Sequence, residues 1–228
     1  MEEFNMKKGK LIVVEGACDG IGKTTQYDML CKHLKNDGEE IANHHFPSYG
    51  TYQGVPVEKY LKGEYGQPSE LSPYFIHSLY AIDRGITWFT NLKPLYDQGN
   101  AILLDRYTTS SLIYQSALIE DIEEKKKFID YVIDFEYHKI GIKEPDNVIF
   151  LYAPFDLVTE IRNARKQNEG VVNDIHESNL DFMKKVYESA MFIADYLSWD
   201  RVQCNDGNKM RSIDDIHDEV YNLVMKKR

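Results

Sequence analysis

Glu15-Gly-Ala-Cys-Asp-Gly-Ile-Gly-Lys-Thr-Thr25 follows a short apolar run, Leu11-Ile-Val-Val14, and opens a helical pattern from about Lys23 to Lys35. Four apolar residues ending at Glu15-Gly16 read as a buried strand. A glycine-rich turn between such a strand and a helix is a phosphate cradle. Its backbone N–H groups turn inward around phosphate oxygens, and the helix N-terminus adds its dipole. The usual pattern is Gly, four residues, then Gly-Lys and Ser or Thr. Gly22-Lys23-Thr24 fits its end, but Gly16 stands one residue too early and Ala17 occupies the glycine place, so the loop reads as one residue longer. Gly20 and Gly22 supply the turn, Lys23 a cation for the β- and γ-phosphates, and the Thr24 hydroxyl an oxygen suited to Mg²⁺, which keeps most of its waters. The cradle points to a nucleoside triphosphate without specifying a reaction.

Outward from the cradle, apolar strands alternate with amphipathic helices. Strands are expected at Ile41–His45, Ala101–Leu104, Asn147–Tyr152 and Val202–Cys204. Helices are expected at Lys23–Lys35, Val55–Leu61, Pro73–Gln98, from Ser110, at Ile119–His138, Phe155–Lys166, Ile175–Leu197 and Ile213–Lys226. On the long helix Phe75, Leu79, Ile82, Ile86 and Phe89 recur at helical spacing and read as its core face. Alternation of this kind implies an α/β fold of the P-loop NTPase type: a three-layer sandwich with a five-stranded parallel sheet and helices on both faces. With 228 residues and no linker or repeat, one domain over residues 1–228 is expected. Ligands of such sheets sit at the carboxyl ends of the strands. Phe46-Pro47 and Asp105-Arg106 follow strand ends there, as the cradle does.

The net charge is −10, the reverse of what neutralises a nucleic-acid backbone, so no nucleic-acid partner is expected. Cys18, Cys31 and Cys204 form neither an even set nor a CxxC pair, which fits a reducing, cytoplasmic setting. Met1–Lys10 is polar and Leu11–Val14 too short for a leader or a membrane span. His44 and His45 are adjacent on a strand and point to opposite faces, which argues against a paired metal site. Glu123–Lys127 reads as a solvated helix face. Cys18, near a helix N-terminus, is a site where a thiol pKa can be lowered.

Four further clusters accompany the cradle. They are Phe46-Pro-Ser-Tyr49, followed by Tyr60–Gly66; Leu79-Tyr-Ala-Ile-Asp-Arg84; Leu104-Asp-Arg-Tyr107, followed by Ser110-Ser-Leu-Ile-Tyr-Gln115; and Pro145-Asp146 before a strand, with Asp174-Ile-His-Glu177 and Tyr187 beyond. In sequence, order and spacing, over nearly the whole chain, this set resembles the thymidylate kinase family. The resemblance implies conversion of dTMP and ATP to dTDP and ADP with Mg²⁺, by a homodimer packed through helices. Carried over residue by residue, Ala17, Cys18, Asp19, Gly20, Ile21, Gly22, Lys23, Thr24, Thr25 and Arg162 would contact ATP. Arg106 would hold the acceptor's 5′-phosphate and Asp105 would orient it. Asp19 would lie between sugar, Mg²⁺ and acceptor phosphate, with Thr24 and Glu177 also near the metal. Phe46 and Tyr80 would sandwich the base, Pro47 beside them, and Arg84 would read a thymine carbonyl. Ser111 and Gln115 would lie at the base edge, and Tyr49 and Tyr114 near the sugar. The family usually has Phe where Tyr80 stands.

An ionised phosphate acceptor needs positioning and cations rather than a strong base. Lys23 and Arg106 supply charge from the donor and acceptor sides. A lid over about 162–174 is expected from Arg162, Arg165 and Lys166. The family places a further catalytic Arg in the phosphate loop or in the lid. Gly20 follows Asp19 in the loop and Gln167–Asn173 contains no Arg, so Arg165 is the candidate. Three other readings stay open at this point. A deoxynucleoside kinase would want a carboxylate at the end of the second strand, where His44-His45-Phe46-Pro47 stands. The acceptor could be another monophosphate. A catalytically silent nucleotide-binding module is the third.

Overall fold

The computed structural model describes residues 9–169 and 179–226, with side chains omitted for 164–169. Arg165, as a side chain, and Glu177 fall outside the described residues, as does the lid beyond 169.

Five parallel strands form the sheet: β1 (Lys10–Gly16), β2 (Ile41–His45), β3 (Ala101–Asp105), β4 (Asn147–Tyr152) and β5 (Asp200–Gln203), in the order β2-β3-β1-β4-β5. β1 lies between β3 and β4, with Val14 opposite Asp105 and Gly16 opposite Leu151. That register brings the cradle and Asp105-Arg106 to one edge. Alternate residues of β1 serve the two faces. Ile12 and Val14 pack with Leu30 and Leu34 of α1 (Lys23–Asn36) and with Val220 and Val224 near the chain's end, whereas Leu11 and Val13 pack toward Trp88 and Leu92. Each such fully buried aliphatic side chain stabilises the fold by about 1.5–3 kcal/mol.

The helices are α2 (Val55–Leu61), α3 (Pro73–Thr87), α4 (Lys93–Asp97), α5 (Thr108–Ser116), α6 (Ile122–Ile133), α7 (Phe155–Glu169), α8 (Leu180–Tyr196) and α9 (Ile213–Lys226). The expected helix Pro73–Gln98 is interrupted by a π turn at Trp88–Leu92, and the one expected over Ile119–His138 ends in another at Asp134–Ile140. Asp121 caps α6, accepting from the N–H groups of Glu123 and Glu124, which explains its later start. A two-strand hairpin, β6 (Asn205–Asp206) with β7 (Lys209–Met210), was not foreseen.

The core face expected for α3 is wrong. Phe75, Ile82 and Phe89 are exposed, and among that set only Leu79 is fully inside. The buried face instead carries His77, Asp83, Arg84 and Thr87. These polar groups are satisfied: Asp83 accepts from the Ser48 N–H at 2.8 Å and Arg84 meets Glu136. Apolar spacing therefore marked mainly the outer face, because the inner one combines Ile76 and Leu79 with a hydrogen-bonded polar set.

Candidate active site

Gly16 ends β1, and the Ala17 N–H donates to the Leu151 carbonyl at 2.9 Å, prolonging the ladder to β4. The extra residue of the loop is thus taken up by the sheet, and the free turn begins at Cys18. Gly20 and Gly22 have φ of +94° and +93°, a region that costs other residues about 1–2 kcal/mol. A Cβ on Gly20 would stand 3.3 Å from Cβ of Arg162, so the stretch of α7 around Val158 and Arg162 packs directly over the loop. The loop borders a cavity of about 370 Å³ lined by Cys18, Asp19, Gly20, Gly22, Lys23, Thr24, Thr25, His45, Tyr49 and Arg106.

Arg106 leaves the end of β3 with φ +66°. This left-handed turn is a strained conformation for a non-glycine residue. Its guanidinium pairs with the Asp19 carboxylate, lies 3.7 Å from Glu15 Oε1 and sits 5.5 Å from the Tyr114 ring. The Tyr114 hydroxyl donates to Asp19 at 3.0 Å. Burial would raise the Asp19 pKa, but Arg106, Lys23 and the Tyr114 hydrogen bond hold it below the usual carboxylate range.

Lys23 pairs with Asp105, which also accepts from His45 Nδ1 at 3.0 Å. Against the effect of burial, the His45 bond and the Lys23 charge hold the Asp105 carboxyl down to about 2. Asp105 thus fixes Lys23, and its charge also acts on the adjacent Arg106.

A second cavity, with about 90 Å³ of free space, is lined by Asp19, Pro47, Tyr49, Leu61, Tyr80, Arg106, Ser110, Ser111, Tyr114 and Gln115. Asp19, Tyr49 and Arg106 border both cavities. α5 supplies Ser110, Ser111, Tyr114 and Gln115 from one face. The buried Gln115 Oε1 has no partner among the described residues.

The thymidylate kinase family model matches residues 14–220. This chain belongs to the thymidylate kinase family. It is 29% identical over 222 residues to thymidylate kinase of Plasmodium falciparum, covering 96% of this chain and 91% of that one. Against thymidylate kinase of an Exiguobacterium species it is 28% identical over 220 residues, covering 96% and 95%. The fold is that of the solved thymidylate kinase of Candida albicans, at TM-score 0.72 and 22% identity, covering 96% of this chain and 92% of that one.

Seen as a thymidylate kinase family site, the structure sorts the expected residues. Asp19, Pro47, Tyr49, Tyr80, Arg106, Ser111, Tyr114 and Gln115 meet at the second cavity. Cys18, Asp19, Gly20, Gly22, Lys23, Thr24 and Thr25 meet at the first. Arg162 is near enough to bear on both Cys18 and Asp19 electrostatically.

Six expectations are corrected. The Ala17 amide is committed to β4, and the Ile21 side chain is core. Phe46 is buried against Tyr107 and Trp88 and does not reach the cavity wall, which Pro47 lines instead. Asp105 serves Lys23. Arg84, 1% exposed, is not on the wall: its Nε and Nη2 grip Glu136 at 2.7 and 2.6 Å, and Nη2 also donates to Ser111 Oγ at 2.8 Å. It therefore reaches the cavity through Ser111. The Cys18 thiol, expected to be lowered, is pushed up to about 12 by burial and then by the Asp19 charge. Labelling of the folded protein with iodoacetamide at pH 8 should accordingly leave Cys18 unmodified by peptide mass. Rapid modification there would contradict this.

Sequence reasoning gave no site role to Glu15, His45, Leu61, Ser110 or Glu136. Glu15 is fully buried and accepts from Thr109 and Ser110. Position before the cradle could have flagged Glu15, and position at the end of β2 could have flagged His45. Glu136 lies in a π turn far from any motif.

Proposed function

We propose that this chain transfers the γ-phosphoryl group of ATP to the 5′-phosphate of dTMP, giving dTDP and ADP. The observation that carries the proposal is the shared wall. A phosphate-loop cavity and a smaller one lined by aromatic and amide side chains meet at Asp19, Tyr49 and Arg106, where an in-line transfer would take place.

Lys23, set by Asp105 and His45, would face the β- and γ-phosphates. Arg106 would hold the acceptor's phosphate with its planar fork. The free space of the acceptor cavity is small, so the incoming phosphate would displace the Asp19 carboxylate from Arg106. Tyr80, set edge-on against Tyr60 at 6.3 Å, offers a ring for the base. Gln115 Oε1 offers an acceptor, which suits the N3–H of thymine and not the bare N3 of cytosine. Arg84 acts on Ser111 rather than on the base.

The oxygen donors Thr24 and Asp19, which both line the donor cavity, fit a hard cation. No group of three His, Cys, Asp or Glu side chains among the described residues could hold a metal alone, in keeping with an ion bound chiefly to phosphates and water. Mg²⁺, when bound, neutralises charge on the transferring phosphoryl group. Arg165 and Glu177 remain our candidates for the lid cation and a further metal contact.

A homodimer is inferred from the family, supported by the exposed apolar Phe75 and Ile82 on α3 and Phe89 in the π turn that follows it. A cytoplasmic setting is inferred from three free, buried cysteines. Among the described residues no helix is long and apolar enough to cross a membrane.

An ADP-release assay with ATP, Mg²⁺ and dTMP, dUMP, dCMP, dGMP and thymidine in turn tests the proposal. Turnover on dTMP, and none on thymidine or dCMP, is expected. Turnover on thymidine alone would make the His45–Asp105 pair the base of a nucleoside kinase. ATP binding without turnover on any acceptor would indicate a silent module.

A further inference from the structure

Where β4 and β5 begin, away from the cradle, lies another cavity of about 230 Å³. Asn147, the first residue of β4, lines it and is 5% exposed. Neither its side-chain oxygen nor its nitrogen has a partner among the described residues. A buried amide in this state costs about 1–3 kcal/mol per unsatisfied group, and it presents a donor and an acceptor side by side. The matching ligand edge is an adjacent N–H and C=O, as in a lactam ring.

The walls narrow the choice. Tyr137 and Trp199 provide aromatic faces, on which a flat ring can stack. Glu144, Asp146 and Asp200 also line the cavity, the first two exposed and Asp200 half-buried. Asp146 is engaged by the Leu11 N–H at 2.8 Å and by Lys143 at 2.8 Å, while Glu144 is exposed. Carboxylates there repel a phosphate. The volume lies below the roughly 300–1,000 Å³ of larger ligand pockets, which suits a ring system without sugar and phosphate.

The cavity is joined to the acceptor site by one helix. α5 turns Thr109 and Leu112 toward it and Ser110, Ser111, Tyr114 and Gln115 toward the acceptor cavity. The Thr109 hydroxyl donates to Glu15 at 2.8 Å, the Ser110 hydroxyl donates to the same oxygen at 2.6 Å, and Glu15 lies 3.7 Å from Arg106. A ligand pressing on Thr109 therefore acts on the carboxylate that steadies Arg106.

We propose that this cavity is an effector site for a neutral lactam heterocycle, of the class of free nucleobases, which pairs with Asn147 and alters acceptor affinity through Thr109, Glu15 and Arg106. The effect on the acceptor rests on the dTMP reading; the binding does not.

Hypoxanthine is the probe, with inosine 5′-monophosphate as its phosphate-bearing control and dTMP saturating the acceptor site. The chain has two tryptophans, and Trp88 is core, so a change in emission reports Trp199. The expected result is a saturable change with hypoxanthine and none with the monophosphate. Affinity should fall at least tenfold in Asn147→Ala, and also in Asn147→Asp, which keeps the shape but loses the donor. With hypoxanthine the KM for dTMP should shift at least twofold while kcat changes less. Without probe, Asn147→Ala should keep the parent kcat and KM and should not lower Tm, since it removes only unpartnered buried polar atoms. No saturable change, binding undiminished in both variants, or binding that leaves KM unmoved would each overturn the proposal. A saturable Trp199 signal in a protein inactive on dTMP would instead refute the dTMP reading and leave the pocket standing.

Discussion

Arg106→Ala is expected to lower kcat for dTMP phosphorylation by roughly 10³-fold or more, the scale of arginines that meet a transferring phosphoryl group. Arg106 stands on the wall shared by the two cavities. It is also held in advance by Asp19, Glu15 and the Tyr114 ring, on a backbone turned to φ +66°. That turn is energetically unfavourable and serves to aim the side chain across the end of β1 toward the phosphate loop. Arg106→Lys should recover only part of the loss, because an ammonium keeps the charge but not the planar fork. Arg106→Gly should be as inactive as Arg106→Ala yet more stable than it by about 1 kcal/mol, since glycine tolerates the positive φ. Steady-state kinetics with dTMP, beside urea unfolding of each variant, separates the two effects. A variant with kcat within tenfold of the parent would remove Arg106 from the transfer step.

Glu136 carries the largest expected effect on stability. It is 0% exposed and accepts from Arg84 at 2.7 and 2.6 Å, from Thr108 at 2.9 Å and from His77 at 2.9 Å. Removing one member of such a buried set leaves a charge without its partner and costs about 3–5 kcal/mol. Glu136→Gln should therefore lower the free energy of unfolding by that amount at pH 7, with Arg84 left stranded. Burial alone would raise the Glu136 carboxyl, but the Arg84 charge and the His77 and Arg84 hydrogen bonds bring it down to about 2. A carboxyl lowered on folding stabilises the native state above its unfolded pKa, near 4.5, and that stability is lost as pH falls toward 2. A drop of about 2.5 pH units corresponds to roughly 3 kcal/mol. Asp105 and Asp19 weaken over the same acidic range, so the informative quantity is the difference between parent and Glu136→Gln. It should be widest near neutral pH and narrow from about pH 4.5 downward. A difference independent of pH would place the effect in packing rather than in the ion pair.

Much of this site could be read from one sequence because its parts follow strand ends. The apolar run before Gly-Lys-Thr fixed the place of the cradle, and Asp105-Arg106 after a second apolar run reached the same sheet edge through strand register. α5 was legible as a helix whose Ser111, Tyr114 and Gln115 share a face. The failures have physical causes. Apolar periodicity pointed mainly to the outer face of α3, because the inner face combines Ile76 and Leu79 with Asp83, Arg84 and their hydrogen-bonding partners. The resemblance implied that Arg84 meets the base. Its true partner Glu136 lies 52 residues away in a π turn, and no local pattern announces such a pair. Phe46 looked like a stacking ring, but tertiary packing draws it into the core and leaves Pro47 at the wall. His45 was weighed as a metal ligand and as the non-acid at the end of the second strand, so its place on Asp105 went unseen.

The most direct measurement is the fate of the γ-phosphoryl group. ATP labelled at the γ-phosphate is mixed with the protein, Mg²⁺ and dTMP, and the products are separated after less than one turnover. Direct transfer across the wall formed by Asp19, Tyr49 and Arg106 predicts label in the terminal phosphate of dTDP, at the rate of ADP formation, and none on the protein. Label on a side chain before it reaches dTDP, or ADP formed with the label in free phosphate, would contradict it.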